Sequence, residues 1–348
     1  ESDATAYSYD TANNNSAIVW SQKYQVWIAI KNNATANHGY LLSPSVDDDG
    51  DGTLEAGEVI ATFDFPTQGG SNVDSEGVTL TDPMGDYFYV STEQLGTTEY
   101  IIEYSILDAF GGGSLTPTKQ WTLPDSWCNS SNSWEGLAFV PDTRYGPTNW
   151  TRIPRGYFVG LCQGVTDSNY KFTLDTGTTP FTASTPTSVA GPLATPCALA
   201  ISNGTGIDYD WDTGLLWLSA GNHIVIADTD LNCLADTTIT GTSDAEGIAL
   251  GNGVMIIGDD TVGTWIKYDL PKTPFDPRYR VAPQLPLRKV CSPVTEGETC
   301  WDYDGDFLTV GDGATTKTLL GTAAISDTAY AGSWDAVTTI APSKNAVY

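Results

Sequence analysis

The sequence predicts an all-β chain folded as a β-propeller, and three observations carry that reading. A short pattern of an acid, a glycine and an apolar run occurs three times: Asp74-Ser75-Glu76-Gly77-Val78-Thr79-Leu80, Ser133-Trp134-Glu135-Gly136-Leu137-Ala138-Phe139 and Asp244-Ala245-Glu246-Gly247-Ile248-Ala249-Leu250. The first two glutamates are 59 residues apart and the next two 111, close to two such steps. Self-similarity at a near-constant period marks a repeat architecture. Second, each copy is followed by further short apolar runs rich in β-branched and aromatic residues, such as Tyr87-Phe88-Tyr89-Val90, Tyr157-Phe158-Val159 and Val254-Met255-Ile256-Ile257. Bounded by Gly, Asp, Asn and Pro, they read as strands joined by tight turns. Third, no stretch sustains the 3.6-residue apolar period of a helix.

Degenerate copies fill the gaps. Gly206-Ile207-Asp208-Tyr209 with Leu215-Leu216-Trp217-Leu218 lies between the second and third, Trp301-Asp302-Tyr303 with Phe307-Leu308-Thr309-Val310 follows the third, and Ala17-Ile18-Val19-Trp20 precedes the first. The count is six units, starting near 16, 76, 135, 206, 246 and 303. Units of ~40–50 residues with about four antiparallel strands are propeller blades. The expectation is one domain over residues 1–348 with six blades, five or seven being the other counts open, and with 1–15 as an N-terminal extension or closing strand. Innermost strands crowd the axis, so a glycine there permits close backbone approach. Two roles are open to Glu76, Glu135 and Glu246: locking one blade to the next, or facing the channel as a set of acids. Clustered carboxylates repel unless protonated, hydrogen-bonded or bridged by a cation.

The chain has 348 residues and 43 acids against 15 bases, a net charge of −28. Such charge disfavours nucleic acid and anionic membranes and favours cations. No run approaches the ~18 apolar residues of a membrane span. Six of the 15 bases (Lys267, Lys272, Arg278, Arg280, Arg288 and Lys289) fall between 267 and 289, five of them in the proline-threaded stretch 271–289. It reads as a stiff loop whose bases meet the acidic body or an acidic partner, with a phosphate-binding rim as the other reading.

The most specific local motif is Asp47-Asp48-Asp49-Gly50-Asp51-Gly52-Thr53-Leu54-Glu55-Ala56-Gly57-Glu58. It fits D-x-[DN]-x-[DN]-G-x5-E at every fixed place. Asp47, Asp49 and Asp51 converge their carboxylates, Gly52 permits the bend, Thr53 offers a carbonyl, Glu55 acts through water and Glu58 binds bidentately, a hard-oxygen set suited to Ca2+. This loop resembles the EF-hand-type calcium loops of secreted proteins such as dockerins and thrombospondin repeats. Lying between strand candidates at 39–42 and 59–63, it is expected to be a structural insertion in the first blade.

Cys128, Cys162, Cys197, Cys233, Cys291 and Cys300 contain no Cys-x-x-Cys metal pair. Six cysteines allow 15 pairings; neighbour pairing (128–162, 197–233, 291–300) would close loops within or between adjacent blades. Disulfides imply an oxidising compartment, and a start at Glu1 rather than Met fits a processed secreted form. Asn14, Asn33, Asn129, Asn149 and Asn203 head Asn-x-Ser/Thr sequons, acceptors for glycosylation on a secreted surface. His38 and His223 have no metal-ligand spacing, and no nucleophile elbow or phosphate-cradling loop is present.

The blade wording resembles the esterase-like phytase family of β-propellers over roughly residues 70–270. The carrying pieces are Asp74-Ser75-Glu76-Gly77 with Val90-Ser91-Thr92-Glu93, Asn132-Ser133-Trp134-Glu135-Gly136-Leu137-Ala138, Asp210-Trp211-Asp212-Thr213-Gly214-Leu215-Leu216-Trp217-Leu218-Ser219, and Asp244-Ala245-Glu246-Gly247-Ile248-Ala249. The resemblance implies a propeller, and a calcium-dependent phosphoesterase as one function. Folds of this kind host many activities, and the few bases argue against phosphate chemistry. The favoured expectation is therefore a secreted, calcium-stabilised, glycosylated structural or interaction module, with the question of enzymatic activity left open and leaning against it. It would join protein partners or its own copies, as in a cell-surface or extracellular fibre. Phosphoester hydrolysis and carbohydrate binding or cleavage are the alternatives.

Overall fold

The computed structural model describes residues 4–7, 15–31, 38–46, 58–66, 75–92, 99–124, 127–128, 134–142, 155–162, 169–174, 187–194, 196–198, 205–239, 242, 245–259, 264–270, 287–288, 299–302, 307–311, 316–321, 325–326 and 341–342. They fall in two compact units, Glu1–Lys272 and Thr273–Tyr348.

The first unit is a five-bladed β-propeller. After β1 (Ala4–Tyr7), blade 1 comprises β2 (Asn15–Ser21), β3 (Val26–Lys31), β4 (His38–Leu42) and β5 (Val59–Asp64). Blade 2 has β6 (Ser75–Thr79), β7 (Tyr87–Thr92) and β8 (Tyr100–Ser105). A short helix α1 (Ile106–Gly111) and β9 (Gly113–Ser114) follow, and β10 (Lys119–Thr122) completes the blade. Blade 3 has β11 (Trp134–Pro141), β12 (Gly156–Cys162), β13 (Asn169–Thr173) and β14 (Thr187–Leu193), followed by a 3-10 turn at Pro196–Ala198. Blade 4 has β15 (Thr205–Asp210), β16 (Leu215–Ala220), β17 (His223–Ala227) and β18 (Cys233–Thr238). Blade 5 has β19 (Ala245–Gly251), β20 (Val254–Asp259) and β21 (Thr264–Asp269). Its outer strand is β1, antiparallel to β21 in the register Ala4↔Tyr268 to Tyr7↔Trp265.

The apolar runs do not alternate, and the packing explains why. A blade is covered on both faces by its neighbours, so strands such as β3 and β12 are buried along their whole length, as sheets covered on both faces require. Five hydrophobic clusters result, one per junction between adjacent blades. One joins blades 1 and 2 around Phe63, Phe88 and Tyr104, and another joins blades 2 and 3 around Trp121, Trp134 and Phe158. A third joins blades 3 and 4 and a fourth blades 4 and 5. The fifth, holding Trp20, Trp27, Ala249 and Trp265, joins blade 5 back to blade 1. That last cluster closes the ring.

Two expectations change here. The ring has five blades, one of the counts left open, and the repeat near 303 lies in the second compact unit, Thr273–Tyr348. The repeat near 303 contributes β23 (Thr299–Asp302) and β24 (Phe307–Gly311) to a separate sheet with β22 (Leu287–Arg288) and β25 (Thr316–Gly321). β26 (Ile325–Ser326) pairs in parallel with β27 (Ala341–Pro342) in the same unit. The physical reason is closure: β19 packs directly against β2 and β1 fills the outer edge of blade 5, leaving the ring no gap for a sixth blade.

α1 was illegible in the sequence because it is only six residues long. Its one local signal is Ser105, whose side chain accepts from the Asp108 N–H as an N-cap. Among the described residues no helix is long and apolar enough to cross a membrane.

Candidate functional site

The innermost strands carry the repeated motif, and the structure gives it a mechanical meaning. In four of them the pairing with the next strand slips at the same place: Asn15/Ala17, Ser75/Gly77, Trp134/Leu137 and Ala245/Gly247. Ser16, Glu76 and Glu246 are therefore the bulged residues, and in blade 3 Glu135 and Gly136 together lie opposite Leu161, at one level of the ring. β15 pairs without a slip, from Thr205↔Ala220 to Asp210↔Leu215. A bulge twists the strand and re-aims a side chain.

The glycine after the bulge meets the neighbouring blade's backbone. A Cβ on Gly77 would lie 2.5 Å from the Glu135 carbonyl oxygen, and one on Gly247 3.1 Å from that of Ser16. One on Gly206 would strike the Glu246 carbonyl and lie 2.7 Å from the Ile248 nitrogen. The Ser91 hydroxyl also donates to the Glu135 carbonyl at 3.1 Å. Glu76 and Glu135 are buried and Glu246 half-buried, and each is engaged in a polar or electrostatic interaction. Among the described residues no three His, Cys, Asp or Glu side chains are grouped to hold a metal ion.

The bulge level holds further buried polar groups. Lys31, Thr92 and Asp259 pair with Asn15, Ser75 and Ala245, and all three are buried. Asn15 Nδ2, Ser75 Oγ and Trp134 Nε1 occupy equivalent places just before three bulges and find no partner among the described residues. Buried polar atoms of this kind take ordered water.

Other polar groups join blades or strands. Lys23 and the Tyr24 hydroxyl of blade 1 bond Asp86 of blade 2. The Lys23 and Tyr24 hydrogen bonds hold the Asp86 carboxyl below the usual range, while burial and Asp86 push Tyr24 up to about 12. Lys171 of blade 3 reaches Asp230 of blade 4 at 2.6 Å, and the Tyr157 hydroxyl donates to the Thr229 carbonyl at 3.0 Å. Asn252 and Lys267 of blade 5 donate to the carbonyls of Pro44 and Ser45 in blade 1, at 3.1 and 3.0 Å. Both histidines sit on third strands of blades, His38 against Asp64 and His223 against Asp236 at 2.9 Å.

Within blade 2, fully buried Glu103 accepts from the Tyr89 and Thr118 hydroxyls, each at 2.6 Å. Tyr89→Phe is expected to lower stability by about 2 kcal/mol, since hydrogen bonds to charged groups contribute ~1.5–3 kcal/mol. Denaturant unfolding checks this, and a wild-type midpoint would refute it.

Two disulfides form, Cys128–Cys162 and Cys197–Cys233. Each ties a connection between blades to a blade strand. Cys291 lies outside the described residues, as does the side chain of Cys300. Of the calcium-motif residues only Glu58 is described; Asp47, Asp49, Asp51, Thr53 and Glu55 are not, nor are Asn14, Asn33, Asn129, Asn149 and Asn203. Within 271–289 only Leu287 and Arg288 are described, as β22. Buried acids outside the repeated motif include Glu103, Asp259 and Asp208, the last lying two residues after Gly206. The only sequence signal of Asp208 was a carboxylate in an otherwise apolar inner-strand pattern.

The fold and these junctions define the chain as a five-bladed β-propeller whose repeated motif builds blade-to-blade contacts. No family model and no curated protein matches it. Among solved structures, a gluconolactonase from Xanthomonas campestris is 13% identical at a TM-score of 0.40, over 77% of this chain and 90% of that one. A luciferin-regenerating enzyme is 12% identical at a TM-score of 0.38, over 78% and 96%. A protein of unknown function from Bacteroides caccae is 9% identical at 0.38, over 72% of each chain. Likenesses at this level carry no statement about activity.

Proposed function

We propose that the chain is a secreted, calcium-stabilised propeller acting as a structural or interaction module, a subunit of a cell-surface or extracellular assembly. The observation that carries this reading is the use made of the motif. The glycines and the bulged residues' carbonyls form contacts between blades, so the most repeated feature of the chain is accounted for by joining. The two disulfides suit an oxidising compartment, and the sequons suit a glycosylated surface. Met84, Leu107 and Phe110 are 57%, 59% and 37% exposed, and Phe110 lies 5.6 Å from Tyr24, apolar side chains open to a partner.

Calcium belongs to the same reading. The 12-residue motif bridges β4 and β5, whose ends are tied by Leu42↔Val59 pairing and by the Ser43 N–H to the Glu58 carbonyl at 2.8 Å. Glu58 is 3% exposed, a burial that suits a carboxylate held by a cation. The donor set fits a hard cation: Asp47, Asp49, Asp51, Glu55 and Glu58 through carboxylates and Thr53 through its carbonyl. Calcium there would neutralise an acidic loop and fix the base of blade 1.

The test is a thermal melt of chelator-treated protein with and without calcium, beside phosphomonoester hydrolysis and a glycan array. Calcium at a hundredfold excess over its Kd is expected to add about 2.7 kcal/mol. Asp49→Ala should abolish that gain, with no calcium-dependent hydrolysis. An unchanged melting temperature would remove calcium from the reading. Calcium-dependent hydrolysis would replace the module with a phosphoesterase, and glycan capture would make it a carbohydrate binder.

A further inference from the structure

Asp208 is the odd member of a repeated position. Two residues beyond the bulge-level residue Ala17, Gly77, Gly136, Gly206 or Gly247, the five inner strands carry Val19, Thr79, Ala138, Asp208 and Ala249. All five are buried. Val19, Ala138 and Ala249 pack into the cluster shared with the following blade. Four junctions thus have an uncharged residue where the fourth has a carboxylic acid.

We propose that the joint between blades 4 and 5 is a proton-sensitive lock, closed when Asp208 carries a proton and weakened when it is ionised. The geometry places this carboxyl at the joint, buried and hydrogen-bonded across it; burial opposes its ionisation, while its N–H donors favour it. Asp208 Oδ2 accepts from the Leu250 N–H of β19 at 2.8 Å, across the joint, and Oδ1 accepts from its neighbour's Tyr209 N–H at 2.9 Å. Trp217 faces it from β16 and packs in the same junction cluster with Ile248, Met255, Ile257 and Ile266. Asp210 and Tyr209 adjoin it on β15 and Asp212 follows in the turn. From β21 the cluster contributes one titratable group, Tyr268, which burial pushes upward and keeps neutral.

Among the described residues, Asp210 is the charge that acts on Asp208, and it is of like sign. Burial first, and then Asp210, push its carboxyl up from 3.8 to about 7 against the pull of the two N–H donors. The folded protein therefore keeps a proton between about pH 4 and about pH 7 that the unfolded chain has released. Stability from this group is full below that window and is lost as pH rises through it. A gap of about three units corresponds to at most a roughly thousandfold change in the folding equilibrium. Asp86 and Asp228 are shifted the opposite way, so their contributions fade only in stronger acid and do not overlap this window.

The lock does not depend on calcium, so it stands or falls separately from the function proposed above. The test is the melting temperature at pH 5 and pH 8 in chelator, for the wild type, Asp208→Asn and Asp208→Thr. Thr is the residue that blade 2 carries at this position. The wild type is expected to lose several degrees more than either variant between the two pH values. Equal losses in all three would overturn the lock. Should neither variant fold, a carboxyl-carbon NMR titration of wild-type Asp208 decides: a midpoint near 7 supports the lock, and one near 4 overturns it.

Discussion

Gly77→Ala and Gly206→Ala are each expected to destabilise the propeller by about 3 kcal/mol, at the upper end of overpacking costs. The sign is not what a strand glycine ordinarily gives. Alanine restricts the unfolded chain and should stabilise a strand by roughly 0.5–1 kcal/mol where there is room. There is none here. The new methyl at Gly77 would lie 2.5 Å from the Glu135 carbonyl oxygen and 2.8 Å from Leu137 Cβ, both in the next blade. At Gly206 it meets the Glu246 carbonyl and the Ile248 nitrogen. These are backbone atoms of a paired strand, so relief requires moving a blade rather than turning a side chain. Gly111→Ala is the control: it ends α1, has nothing within 4 Å of its Cβ position, and is expected to be neutral or slightly stabilising. Guanidinium unfolding of the three variants reads the difference. Wild-type midpoints for the two inner-strand variants would show that the blades are not held at the bulge level.

The same residues show how far the sequence could be read. The Glu-Gly-apolar pattern was visible because four of the five inner strands carry a side-chain-free position at the same height, so one constraint is written several times. Blade 1 was fainter because Ser16 and Ala17 stand where Glu and Gly stand elsewhere, and blade 4 because Thr205-Gly206 pairs without a bulge. Blade number was not legible. Trp301-Asp302 and Phe307–Val310 have the composition of a blade, and nothing local says that β19 meets β2 first. Ring closure is a property of five packed junctions, not of any segment. The polar contacts between blades were equally hidden. Lys171 with Asp230 and Asp208 with Leu250 lie 59 and 42 residues apart, and no periodicity marks them. The proposed calcium loop is the opposite case, a donor pattern written contiguously in the sequence.

Removing Cys128–Cys162 is expected to cost more than removing Cys197–Cys233, although chain entropy alone predicts no difference. The bridges span 34 and 36 residues, and closing loops of that length restricts the unfolded chain by roughly 4 kcal/mol in either case. Burial separates them. Cys128 and Cys162 are 1% and 0% exposed and pack in the cluster with Trp134, Tyr170 and Phe172, flanked by Trp127. Trp127 stacks on Tyr170 at 4.9 Å. Paired Cys→Ala changes there lose the bridge and also leave thinned packing under four aromatic rings, a cavity cost that adds to the entropic one. Cys233 lies on β18, exposed along its whole length, and Cys197 is only half-buried against the blade 3–4 cluster, so loss of this bridge carries a smaller packing penalty. The two should also differ toward reductant. Dithiothreitol on the folded protein is expected to open Cys197–Cys233 first and to reach Cys128–Cys162 only as blades 2 and 3 separate. Thiol trapping followed by mass mapping reads the order. Simultaneous reduction of both bridges would mean that the aromatic cluster opens far more readily than its packing implies.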